Sequence, residues 1–105
     1  MRALILAAAL IATPASAKTW FNEDCTLGLQ SGEGGFEIMF NPGVDMPDKR
    51  ETVCKVAHWP IQNPVAILKC DNGSEPEMQL IDSDVRLDGV MLYSNDTGRF
   101  DEVCD

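Results

Sequence analysis

Along most of this chain, apolar side chains recur at short period and turn chemistry interrupts them every few residues. That rhythm belongs to β-strands and leaves little length for helices. Phe36, Ile38 and Phe40 alternate with Glu37 and Met39, the period-two pattern of a half-buried strand. Read in the same way, strands are expected near 19–22, 25–30, 35–41, 52–59, 65–70, 78–82, 84–87 and 90–94, with a last short one near 99–103. Ser31-Gly32-Glu33-Gly34-Gly35, Asn41-Pro42-Gly43, Asp71-Asn72-Gly73 and Asn95-Asp96-Thr97-Gly98 separate them. Pro60 and Pro64 bracket another link, because proline has no N–H to give to a ladder. The one helical turn expected lies around Pro47 to Glu51.

The sharpest local signal is Val85-Arg86-Leu87-Asp88-Gly89-Val90-Met91-Leu92. Asp-Gly between alternating residues predicts a two-residue hairpin turn of the primed type. In that register Leu87 faces Val90 and Val85 faces Leu92, with all four on one sheet face and Arg86 and Met91 on the other. The rival is a continuous strand with Gly89 in a bulge. Many short strands with regular turns predict an all-β domain, a small antiparallel barrel or sandwich of about 7–9 short strands.

Residues 1–17 have the form of an export signal: Arg2, an apolar run from Ala3 to Ala12, Pro14, and small residues at Ala15 and Ala17. The run is shorter than the ~20 residues that a membrane span needs. The expected organisation is a cleaved signal peptide, 1–17, and a single acidic β-domain, 18–105, in the periplasm or outside the cell. No second apolar run of that length follows, so no membrane insertion is expected after cleavage. Losing Arg2 leaves seven Lys and Arg against 17 Asp and Glu, a net charge of −10. That balance repels nucleic acid and favours basic partners or divalent cations.

Cys25, Cys54, Cys70 and Cys104 all follow the signal, and an even number in an oxidising compartment predicts two disulfides. No C-x-x-C pair or Cys-His spacing points to redox chemistry or zinc. A hairpin of 52–59 with 65–70 would set Cys54 opposite Cys70 and leave Cys25 to join Cys104. The sequential pairing, Cys25 with Cys54 and Cys70 with Cys104, remains open.

Candidate chemistry is sparse. His58 is the only histidine, no nucleophile motif accompanies it, and neither an enzyme nor a cofactor is expected. Asp71, Glu75, Asp82 and Asp84 are the candidate metal ligands, but their spacing misses the calcium-loop pattern and an ordinary solvated loop is preferred. Asn72-Gly73-Ser74 and Asn95-Asp96-Thr97 read as turn residues. Trp20 and Trp59 are candidate partner contacts, against a core role for each.

In size, charge and cysteine count the domain is similar to small acidic periplasmic β-domains that inhibit lysozymes. Their S-G-x-x-Y element is met only by Ser31-Gly32-Glu33-Gly34-Gly35, with Gly35 where tyrosine belongs. The likeness is one of gross plan, and it implies a binding module for a basic protein. Pairing with an envelope partner through a strand edge and calcium binding are the alternatives.

Overall fold

The computed structural model describes residues 18–32, 34–58 and 65–104. Residues 1–17, and with them the expected signal peptide, lie outside the described residues, as does Trp59. The described strands are β1 (Thr19–Phe21), β2 (Leu27–Gly32), β3 (Gly35–Phe40), β4 (Arg50–His58), β5 (Val65–Cys70), β6 (Glu77–Ile81), β7 (Asp84–Leu87) and β8 (Val90–Ser94). Each runs antiparallel to the next in chain order. β8 returns to β1 through Trp20 opposite Ser94 and Phe21 opposite Tyr93. The eight strands therefore form a closed up-and-down barrel, and the sandwich is ruled out.

The Asp88-Gly89 hairpin has the predicted register, with Leu87 opposite Val90, Arg86 opposite Met91 and Val85 opposite Leu92. Both turn residues have positive φ, 50° and 86°, as a primed turn requires. Inside the barrel Leu29, Ile38, Leu68, Met78, Val85 and Leu92 are buried and fill the lumen. Cys54 lies opposite Cys70 and is bonded to it within this core, with Cα atoms 3.9 Å apart. Cys25 bonds Cys104, so the sequential pairing does not occur. Two disulfides are compatible with an extracellular or periplasmic compartment.

Three expectations need correction. Residues near 99–103 do not form a strand: Asp101–Cys104 is a helical turn, α1, and the Cys104 N–H donates to the Phe100 carbonyl at 2.8 Å. Phe100 and Cys104 are four apart, so one face of this turn buries both. No helix forms at 47–51; Arg50 instead begins β4. The second strand starts at Leu27 rather than at residue 25, because Asn22 holds the turn before it. Its Oδ1 accepts from the N–H groups of Thr26 and Leu27, and Cys25 takes a φ of 57°.

A second apolar cluster packs outside the barrel wall, around Phe21, Cys25, Phe100 and Cys104. The Phe21 and Phe100 rings meet with centroids 5.6 Å apart. Phe21 faces Gly28 across the β1–β2 pair, and a Cβ on Gly28 would come within 2.8 Å of that ring. The bare glycine backbone makes room for the strap that carries α1.

Candidate functional site

In an up-and-down barrel alternate loops share an end. The β1–β2, β3–β4, β5–β6 and β7–β8 loops therefore gather at one end. They bring Glu23 and Asp24, Asp45 and Asp48, Asp71 and Glu75, and Asp88 together there, with Lys49 as the one cation in these loops. Cys25–Cys104 draws α1 to the same end, and the Val44 N–H donates to the Val103 carbonyl at 3.2 Å. Asp24, Asp45 and Glu102 line one shallow depression there, of about 320 Å³, beside the exposed Val44 and Val103.

At this end the barrel mouth holds an opening of about 210 Å³. Its walls are Leu27, Ile38 and Phe40 on one side and Pro76, Leu87 and Val90 on the other. Asn72, Ser74 and Asp88 supply the polar rim. Local hydrogen bonds fix that rim. Asp88 accepts from the Glu77 N–H at 3.0 Å through Oδ1 and donates its own N–H to the Glu77 carbonyl at 2.7 Å. Asn72 Oδ1 accepts from the N–H and the hydroxyl of Ser74, at 3.0 and 2.6 Å. The Asn72 N–H donates to the hydroxyl of buried Thr52 at 3.2 Å. Arg50 lies beside the opening, its guanidinium carbon 5.5 Å from the centre of the Phe40 ring.

Two wider depressions, of about 520 and 530 Å³, are more open and lie on the outer wall. Glu37 lines the first and Glu51 the second. Burial holds the Glu37 carboxyl above its usual 4.5, and the hydrogen bond and charge of neighbouring Glu51 push it the same way.

The residues singled out in the sequence scatter over this frame. Trp20 is only 8% exposed, and its indole N–H donates to the Ser83 carbonyl at 2.8 Å, so it serves the core rather than a partner surface. His58 ends β4 at the opposite end from the acidic loops. The candidate metal ligands separate: Asp71 and Glu75 precede β6 at the acidic end, whereas Asp82 and Asp84 follow it at the other. Asp84 Oδ1 accepts from the Ser94 N–H at 2.9 Å. No group of three metal-ligating side chains converges among the described residues. Sequence reasoning missed the mouth residues Leu27, Asn72 and Val90. The available signal was the Asp88-Gly89 register, which already set Val90 on the same face as Leu87. No family model matches this chain, and no curated protein or solved structure does either.

Proposed function

We propose that the protein is a secreted or periplasmic binding module, not an enzyme, that receives a basic protein against the acidic end of its barrel. One observation carries this reading: four alternate hairpin loops gather seven carboxylates at the end of the barrel where an apolar mouth opens, with Lys49 the only cation within those loops. Apolar surface ringed by polar groups is the general anatomy of a protein interface, and a single sign of charge selects the partner. A lysozyme is the first partner to test, given the likeness in gross plan.

The alternatives have less support. Each of the eight described strands has a neighbour on both sides, so pairing through a strand edge lacks a free edge. For calcium binding, the candidate carboxylates divide between the two ends, and no three metal-ligating side chains converge among the described residues.

Immobilised protein should retain lysozyme at about 20 mM salt and release it at about 300 mM, where screening leaves the attraction a reach of only about 5–6 Å. Asp45→Lys with Asp71→Lys should abolish retention, while Ser83→Lys with Asp96→Lys, at the other end, should leave most of it. Equal loss from both pairs, or retention indifferent to salt, overturns the reading.

A further inference from the structure

Resting on that reading, we infer that the barrel mouth is a socket for one lysine or arginine side chain of the basic partner. Its size sets the scale. Sites for whole small molecules span roughly 300–1,000 Å³. The mouth, at about 210 Å³, suits a single side chain. Its chemistry sets the kind. Leu27, Phe40 and Val90 offer apolar contact to an aliphatic stem, and the only charged residue in the lining is Asp88. Val90 is 40% exposed although it faces the barrel axis, so the apolar wall is open from outside. A long cationic side chain satisfies both parts at once, with its methylenes on the wall and its charge at the rim. An acidic side chain would meet Asp88 with like charge. A second copy of this chain, with a net charge of −9, is repelled as a whole.

The rim is set before the partner arrives. Asp88 is fixed through the Glu77 N–H and Asn72 through Ser74, so little order remains to be lost on binding. The same arrangement provides a clean variant. Asp88→Asn keeps an acceptor for the Glu77 N–H and a residue at home at positive φ, and it removes only the charge.

The test uses full-length protein with both disulfides intact and follows the methyl resonances of Leu27, Leu87 and Val90. Acetyl-Gly-Arg-Gly-amide and acetyl-Gly-Lys-Gly-amide should shift them in a saturable way, and the norleucine peptide should not. Asp88→Asn should weaken peptide binding about tenfold, within the range of a charge-assisted contact. Val90→Trp, its fold checked by melting, should block it. Absence of methyl shifts at saturating peptide, equal shifts with norleucine, or wild-type affinity in both variants overturns the socket. If lysozyme still binds in a salt-dependent way while both variants bind it as wild type does, the socket falls and the acidic docking end stands. If lysozyme fails to bind at low salt, the docking reading falls, and the peptide titration decides the socket alone.

Discussion

Glu37 shows how a single side chain sets the pH response of the wall. Its carboxyl takes up a proton more readily in the folded than in the unfolded chain, because burial and then Glu51 disfavour its charge. The folded state therefore binds more protons between the usual 4.5 and the raised value, and stability falls as pH rises through that window. Above it the ionised carboxylate is a standing cost. Glu37→Gln should melt higher than wild type at about pH 7 and at the same temperature below about pH 3, where the wild-type carboxyl is protonated in both states. A lower melting temperature for the variant at neutral pH contradicts the assignment. Gly28 is the opposite case, a residue valued for what it lacks. In Gly28→Val the Cβ alone would come within 2.8 Å of Phe21 and 2.9 Å of the Met39 methyl. Overpacking of that kind costs about 1–3 kcal/mol, so melting should drop by several degrees. Hydrogen exchange should rise first in 99–104, the segment that Phe21 anchors.

Among the elements, the β7–β8 hairpin was fully legible, because its turn residues and its alternation state the same register independently. The Cys54–Cys70 pair followed from one such hairpin and proved correct. α1 was not legible. Phe100 and Cys104 are spaced for a helix, but four residues are too few for periodicity to separate from a strand, and a helix that short does not stand by itself. It forms because Cys104 is bonded to Cys25 and Phe100 packs on Phe21. The two disulfides should consequently differ in what their loss releases. Cys25→Ala with Cys104→Ala opens a link spanning 79 residues, and Cys54→Ala with Cys70→Ala one spanning 16. The chain-entropy relation assigns them about 4.5 and about 3 kcal/mol, respectively. The second pair lies in the lumen core, so its removal adds a cavity cost and should loosen β4 and β5. Denaturant unfolding combined with exchange mapping should find the first variant frayed at 95–104 over an ordered barrel, and the second with reduced protection along β4 and β5.

At the scale of the whole molecule, composition supplied the charge but not its placement. Asp45 and Asp88 are 43 residues apart, and only the alternation of an up-and-down barrel brings their loops to one end. With barrel and sandwich both open, that sorting was out of reach; with the barrel closed, it follows from counting loops. The consequence is kinetic. The screening length is about 10 Å at 0.1 M salt, so carboxylates gathered at one end act on an approaching partner as a group only when salt is low. A basic partner should then be steered end-on, and its association rate constant should fall by about tenfold or more between about 20 and 200 mM salt. The dissociation rate is set by contacts already made and should change far less. Stopped-flow measurement on the wild type and on Asp45→Lys with Asp71→Lys separates the two. In the reversed variant the salt dependence of association should flatten, whereas in Ser83→Lys with Asp96→Lys it should persist. A dissociation rate that carries the salt dependence would mean that the carboxylates act as contacts at short range, and that the gathering of acidic loops at one end does not guide encounter.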